Sequence, residues 1–541
     1  MINRNKIIAG LLAVITGFSF AMPATKAYAF DSSIDYKTAL KDAVVFYDAN
    51  KCGPHAGDNN FFEWRGACHC DDGKSMGIDL TGGFHDAGDF VKFGLPGSYA
   101  ASVMGWALYE FKDGFEKAGM YNKQLDETKY FTDYIMKCHY APGKFVYEVG
   151  EGNKDHDYWA SPEKQSVEQG ARNQIKVADS SHPAADVIGE SVAALSIMYL
   201  NCKDIDSDYA AKCLQHAKEL YEMGKSNLKT YEYNQFYESK SCGDDMAWAA
   251  AWLYDITKDE SYLSDAERFI KLENQWLETS WTMCWNDMKV AAELKLYQLT
   301  KDSKYKKAMD HNINCWKNMN PVAGGIKVYD GWGSLRYTAA ESMIALIYNK
   351  VCPDRSLVDT AASQIDYILG KNPSGISYMV GFGDKSVKHA HHRAANGYDK
   401  LLDTDYKNKD NKYVLTGALV GGPDGGGTFV DELDRYTYTE VAIDYNAGFV
   451  GALAGCVALN YNSNTPEIFV SPFGSGKIDP PPTEKLAGDV NGDNKVNIAD
   501  YTLLKKYINS GGIVKINEKN ADLNEDGTVS FLDLLKLKNL V

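Results

Sequence analysis

The sequence predicts an all-α protein in two unequal parts, a closed ring of paired helices followed by a small α-helical domain. Three observations predict it. Apolar residues recur at helical spacing through the first 462 residues, as in Ile188, Val192, Leu195 and Tyr199, in Ala340, Ile344, Ile347 and Val351, and in Ile443, Ala447, Val450, Ala454 and Val457. Past Asn462 the composition turns to Pro and Gly, and past residue 485 an acidic loop pattern occurs twice. At 541 residues the chain can hold a large core and an appendage. Its formal charge of −16 excludes the basic footprint of a nucleic-acid binder, and an aromatic content of 12% excludes bulk disorder.

Residues 1–29 read as a cleaved signal peptide. Arg4 and Lys6 open it, an apolar run from Ile7 to Phe20 follows, and Ala27-Tyr28-Ala29 supplies a small-residue cleavage site. The run falls short of the roughly 18–20 apolar residues of a membrane anchor. A secreted, extracellular protein with no membrane partner follows, with a charge of −19 over 30–541. The 11 cysteines are odd in number and end at Cys456, which does not fit a disulfide framework. Cys138, Cys202, Cys213, Cys315, Cys352 and Cys456 fall in helical segments and read as free thiols.

Helices are expected near 36–50, 98–117, 124–138, 186–202, 207–225, 244–257, 260–274, 286–300, 303–318, 335–350, 356–370 and 441–460. They pair in sequence. The absence of an exact repeat of about 33–45 residues favours a closed ring over a solenoid. The stretches 52–97, 139–180 and 371–440 are too long to be mere connections, and loops of that length usually carry the site. Residues 463–485, with Pro480-Pro481-Pro482, read as a stiff linker. Four segments result: signal peptide 1–29, main domain 30–462, linker 463–485 and terminal domain 486–541.

The terminal domain is an internal duplication. Asp489, Asn491, Asp493, Asn497 and Asp500 occupy positions 1, 3, 5, 9 and 12 of a loop, and Asp522, Asn524, Asp526, Ser530 and Asp533 repeat that spacing 33 residues later. Alternating oxygen side chains with a carboxylate at position 12 wrap a hard cation in the manner of an EF-hand, so two Ca²⁺ ions are expected. Position 12 is Asp rather than Glu, and no entering helix is evident. The segment resembles a type I dockerin, which implies a cohesin module of a scaffoldin as partner. The positions that read the partner would fall on Ile498-Ala499 and Phe531-Leu532.

Two carboxylate motifs lie far apart in the main domain. Asp79-Leu-Thr-Gly-Gly-Phe-His-Asp86-Ala-Gly-Asp89 separates its aspartates by small residues, so both carboxylates can line one cavity. Phe429-Val-Asp431-Glu-Leu-Asp-Arg-Tyr436-Thr-Tyr-Thr-Glu440-Val-Ala-Ile-Asp-Tyr-Asn446-Ala447 places Glu440 at the mouth of a strongly apolar helix. Read alone, Asp86 and Asp89 serve equally well as turn formers and Glu440 as a first-turn charge. Together with Lys388-His389-Ala390-His391-His392-Arg393 and Trp332-Gly333-Ser334-Leu335-Arg336-Tyr337, these strings resemble glycoside hydrolase family 9 over residues 36–461. That family consists of inverting cellulases on an (α/α)6 barrel.

The resemblance implies an endo-β-1,4-glucanase acting on cellulose and cello-oligosaccharides. Glu440 would be the general acid, Asp89 the general base and Asp86 a holder of the attacking water. The acid must keep its proton near neutrality, through apolar surroundings or carboxylates such as Asp431. His391 and Arg393 would position the sugar at the cleavage point. His156, Trp159, Trp281, Trp332 and Tyr337 would line the subsites, with Arg336 as a polar clamp. Trp106, Trp248, Trp252 and Trp316 sit on helix faces and are assigned to the core. Where the family often has another histidine, this chain has Asn396. Activity on other β-glucans or xylan, and a catalytically silent glucan binder, are the rival readings. The absence of a cellulose-binding module between Asn462 and the dockerin leans toward non-processive cutting.

Two metal sites are expected in the main domain. Cys52, Cys68, His69 and Cys70 cluster close to His85, a donor set that suits tetrahedral Zn²⁺. Some relatives hold a structural zinc here with two Cys and two His. Cys52, Cys68 and His69 match, the last His falls at Lys92, and His85 or Cys70 would substitute. Free thiols or a Cys52–Cys68 disulfide are the alternatives. Ser241, Asp244, Asp245 and Asn286 similarly suggest a structural Ca²⁺.

Overall fold

The computed structural model describes residues 30–31, 33–272, 277–460, 487–491, 495–509, 516–524, 529–538 and 540. The signal peptide and linker assignments, and Asp493 and Asp526, lie outside the described residues. The chain divides into two compact units, Met1–Ser463 and Asn464–Val541. No helix among the described residues is long and apolar enough to cross a membrane.

The first unit is a double ring of helices. Its inner members are Gly94–Glu110, Ala185–Cys202, Gly243–Thr257, Lys289–Thr300, Ser334–Val351 and Ile443–Leu459. The helix Ile443–Leu459 packs against both Ser334–Val351 and Gly94–Glu110, which closes the ring. Outer helices alternate with them: Tyr36–Asn50, Tyr121–Cys138, Ser207–Ser226, Glu260–Leu272, Ser303–Asn318 and Arg355–Ile368. This is an (α/α)6 barrel. The sequence separates the two layers physically. Gly243 through Leu253 are buried without a break, whereas Glu260–Leu272 buries only Ala266, Phe269 and Ile270. Five outer helices start on an aspartate, Asp35, Asp206, Asp259, Asp302 and Asp354, each accepting a backbone N–H of the first turn.

Trp106, Trp248, Trp252 and Trp316 are fully buried, and Trp248 meets the Trp106 and Trp252 rings edge-on at 4.9 and 5.3 Å. Small residues let the inner helices approach. A Cβ on Gly448 would stand 2.8 Å from the Ala340 Cα.

Three features depart from expectation. The helix placed at 98–117 breaks at Phe111, whose backbone leaves the helical region to bury its ring, and resumes as Lys112–Lys117. The region also holds a three-stranded antiparallel sheet, β1 (Lys92–Phe93), β2 (Phe145–Val149) and β3 (Ile175–Ala178), in the order β1-β2-β3. Phe93 pairs with Glu148 and Phe145 with Ala178. Two short helices, Gly152–His156 and Pro162–Gln169, lie between β2 and β3.

In the second unit, the helices Ile498–Asn509 and Phe531–Lys538 pack on each other around Val490, Leu504, Ala521, Leu534 and Leu537. A four-residue helix, Glu518–Ala521, does enter the second loop.

Candidate active site

Three loops meet beside the start of the inner helix Ile443–Leu459. Asp86 is anchored by its backbone, donating to the Val91 carbonyl (3.1 Å) and accepting from the Ile443 amide (2.9 Å). Gly88 lies against the 391–392 backbone and accepts from the Arg393 amide (3.2 Å). A Cβ at Gly88 would sit 2.2 Å from the His391 carbonyl oxygen, so only glycine permits this approach. That accounts for the small residues between the two aspartates.

Asp89 is buried, its Oδ1 and Oδ2 accepting the Ala87 and Val91 amides at 3.1 Å each. Burial pushes its carboxyl up and the Asp155 charge adds to this, against the pull of His156 and Arg393. Asp86 accepts the Tyr237 hydroxyl on Oδ2, while its buried Oδ1 has no partner. Burial, then the charges of Asp89, Asp444 and Glu440, hold Asp86 well above the usual carboxylate range. Asp86 and Glu440 therefore share one electrostatic environment, although 354 residues separate them in sequence.

Glu440 stands between the short helix Tyr436–Thr439 and the helix Ile443–Leu459. Its Oε2 accepts the Trp332 indole N–H (3.0 Å) and the Tyr445 hydroxyl (3.1 Å). Burial raises its pKa, the two donors and Arg336 oppose this, and Asp444 adds to it. The carboxylate contribution thus comes from Asp444. Asp431, to which the sequence reading gave that effect, instead accepts the Lys388 and His389 amides at 3.0 Å and holds the 388–391 loop.

His391 runs parallel to Glu440 and donates its amide to the Thr439 carbonyl (2.8 Å). Its Nδ1–H donates to the Leu433 carbonyl (2.6 Å), and burial lowers its pKa to about 4, so the ring is neutral at pH 7 with Nε2 unprotonated. Arg393 is buried and paired with Asp155 at 2.5 Å. Trp159 lies edge-on to His391 at 5.2 Å. His156 is exposed and stacks on Phe236 (4.8 Å, 23°). Trp332 is 46% exposed beside Tyr436, and Trp281 packs edge-on to Tyr337 at 5.2 Å. Arg336 donates to the Tyr337 hydroxyl (2.7 Å) and pairs with Asp444 (3.4 Å). Sequence reasoning missed Tyr237, Tyr445, Asp444 and Asp155. Tyr237 carries no periodic signal, while Asp444 and Tyr445 lie within the Phe429–Ala447 motif but at the start of its apolar helix, where they read as helix filler.

Cys52, Cys68, His69 and His85 are buried, with one ligand atom from each lying within 4.8 Å of the others. Cys52 Sγ is 3.7 Å from His69 Nδ1, Cys68 Sγ is 3.9 Å from His85 Nε2, and the two ring nitrogens are 3.2 Å apart. Zinc bonds of about 2.0–2.3 Å in a tetrahedron give edges of roughly 3.3–3.8 Å, so the donor set fits. His69 Nε2 donates to Gln165 Oε1 (2.8 Å), leaving Nδ1 as the free donor atom. His85 rather than Cys70 completes the group; Cys70 is exposed and Lys92 pairs with Asp72 (2.7 Å). None of the eleven cysteines is joined in a disulfide, so Cys52 and Cys68 stand as separate sulfurs.

Ser241 donates to Asp244 Oδ1 (2.6 Å) and Met288 donates its amide to Oδ2 (2.7 Å). Both oxygens of buried Asp245 lack a hydrogen-bond partner. Asn286 is exposed and donates to the Glu238 carbonyl (3.3 Å). In the second unit the loops repeat one pattern. Asp500 Oδ1 accepts the Val490 and Asn491 amides and Oδ2 that of Asn497, while Asp533 Oδ1 accepts the Leu523 and Asn524 amides and Oδ2 that of Ser530. The side chains of Phe531 and Leu532 lie outside the described residues.

Two sets of carboxylates on the loops of a double helical ring, flanked by aromatic rings, are the equipment that glycoside hydrolysis requires. The chain belongs to glycosyl hydrolase family 9, whose profile matches residues 36–453, and the profile of the dockerin type I domain matches residues 487–541. It is similar to endoglucanase A of Bacillus pumilus, 36% identical over 449 residues that make up 79% of this chain and 67% of that one. Endoglucanase B of Cellulomonas fimi is also 36% identical, over 83% of this chain and 45% of that one. Among solved structures, the cellulase Cel9M of C. cellulolyticum in complex with cellobiose is 53% identical with a TM-score of 0.76, covering 79% of this chain and 99% of that one. The catalytic domain of CelT of Clostridium thermocellum is 36% identical with a TM-score of 0.71, over 79% and 97%.

Substituting Gly88→Ala should force the 86–89 and 391–393 segments apart and lower the hydrolytic rate by about 10²-fold, the cost of a misplacement near 1 Å. Rates on a soluble glucan check this; an unchanged rate would show that the close approach is not needed.

Proposed function

We propose that the protein is a secreted, inverting endo-β-1,4-glucanase that cuts cellulose internally and docks to a cohesin of a cellulosome scaffold. One observation carries the catalytic reading. Half-buried Glu440 and the buried Asp86–Asp89 pair come from distant motifs, yet the charges of Asp89 and Glu440 both act on Asp86 and all three carboxyls are raised. Glu440 keeps its proton and gives it to the glycosidic oxygen as the bond to the anomeric carbon breaks. Asp89 takes a proton from the water that attacks the opposite face, which inverts that carbon. Two backbone amides favour the ionised form of Asp89, which suits it to be the base. Asp86 and Tyr237 hold the water. His391, Arg393, Arg336 and the rings of His156, Trp159, Trp281, Trp332 and Tyr337 place the sugars.

The separations among Cys52, Cys68, His69 and His85 support a structural Zn²⁺ tying the 52–85 loop together. The two orphaned oxygens of Asp245 support a cation near Ser241, Asp244 and Asn286. The duplicated loops support one Ca²⁺ each, held by Asp489, Asn491, Asp493, Asn497 and Asp500, and by Asp522, Asn524, Asp526, Ser530 and Asp533.

Glu440→Gln should lower kcat on a soluble cellulose derivative by about 10³-fold with an unchanged thermal midpoint, and proton NMR of the parent's first product should show the α-anomer. Parent-like turnover, or a β-anomer, contradicts the mechanism. Calcium chelation should abolish cohesin binding in a pull-down, and metal analysis should find one zinc equivalent that Cys68→Ser loses; chelator-insensitive binding or a zinc-free parent refutes the respective site.

A further inference from the structure

A circuit of contacts closes around His391, and Asn396 is its keystone. Asn396 is fully buried at the end of the short helix Arg393–Asn396. Its Oδ1 accepts the Trp159 indole N–H (2.9 Å), and its Nδ2 donates to Asn411 Oδ1 (3.1 Å). Asn411 then donates from Nδ2 to the carbonyl of Ala390 (2.7 Å), the residue before His391. Trp159 completes the circuit, its ring edge-on to that of His391 at 5.2 Å. The amide orientations follow from chemistry. An indole nitrogen only donates, so the Asn396 oxygen must face it, which turns the amide nitrogen toward Asn411. Backbone bonds brace the same corner, from the Asn396 amide to the His392 carbonyl (2.8 Å) and from the Lys412 amide to the Asn396 carbonyl (3.1 Å).

His391 has a tether through Nδ1 to the Leu433 carbonyl, which fixes one end of the imidazole. The orientation of the ring plane depends on what packs against it, and Trp159 is a wall. We propose that Asn396 is a positioning residue for the glycosidase site, holding Trp159 and the Ala390 carbonyl together and so setting the orientation of His391. Removing the Asn396 side chain leaves a buried indole N–H without its acceptor and takes away the donor that orients Asn411, which holds the Ala390 carbonyl. The proposal rests on the reading of His391 as a contact to the sugar at the cleavage point.

The test is kcat/KM on a soluble cello-oligosaccharide, with thermal midpoints, for the full chain and for Asn396→Ala, Asn411→Ala, His391→Ala and the Asn396→Ala plus His391→Ala double variant. Asn396→Ala should lower kcat/KM by about 10-fold, as expected when a group near the reacting atoms loses its alignment. Asn411→Ala, at a less buried point of the circuit, should lower it in the same direction. In the His391→Ala background, Asn396→Ala should cost less than about twofold, because no ring remains to be positioned. Equal losses in both backgrounds would make Asn396 a packing residue and overturn the proposal. Values within about twofold of the parent for both Asn396→Ala and Asn411→Ala would overturn it as well. If His391→Ala itself matches the parent, the reading of His391 as a substrate contact has failed, and the proposal falls with it.

Discussion

Four carboxylates, Asp86, Asp89, Glu440 and Asp444, are crowded into a low-dielectric pocket beside the start of the helix Ile443–Leu459, and the surrounding structure answers that constraint. Like charges so placed cannot all ionise, so protons are retained. Relief comes from a few groups. Arg336 pairs with Asp444, Arg393 sits behind Asp89 with its own partner Asp155, and Tyr237, Tyr445 and Trp332 donate hydrogen bonds. They come from the loop at Tyr237, the start of Ser334–Val351, the short helix Arg393–Asn396 and the helix Ile443–Leu459, segments that only the folded barrel brings together.

The barrel supplies the rigidity that such an arrangement requires. Inner helices buried on all sides cannot shift without opening voids, so the residues at their ends are fixed. Loop segments then dock onto those ends through backbone contacts rather than side chains alone. The Asp86 carbonyl on the Ile443 amide, and Gly88 against His391, lock two sequence-distant motifs into one pocket. Asp431 contributes to the same docking by gathering the 388–389 amides, a role that its proximity to Glu440 in sequence conceals.

Much of this was legible in the sequence, for physical reasons. Long helices announce themselves because a buried stripe must repeat every three or four residues. The sheet did not, because β1 has two residues and all five residues of β2 are buried, leaving no alternation to read. Asp86, Asp89 and Glu440 stood out as carboxylates in unusual company. Tyr237 did not, since its contact with Asp86 spans 151 residues and a tyrosine in a polar loop carries no pattern. His85 and Cys70 competed for one metal-ligand place on spacing alone, and only the folded loop brings the His85 ring onto Cys68 and His69.

On the proposed assignment, the shared environment sets the protonation of the acid Glu440 and the base Asp89. The most direct measurement is the pH dependence of kcat/KM, which reports the free enzyme. The base works only when deprotonated, so activity should rise with pH through a limb displaced above the ordinary Asp value of 3.8. The acid works only when protonated, so activity should fall with rising pH through a limb displaced above the ordinary Glu value of 4.5. A bell with both limbs raised agrees with the account; limbs at 3.8 and 4.5, or no alkaline fall, would contradict it.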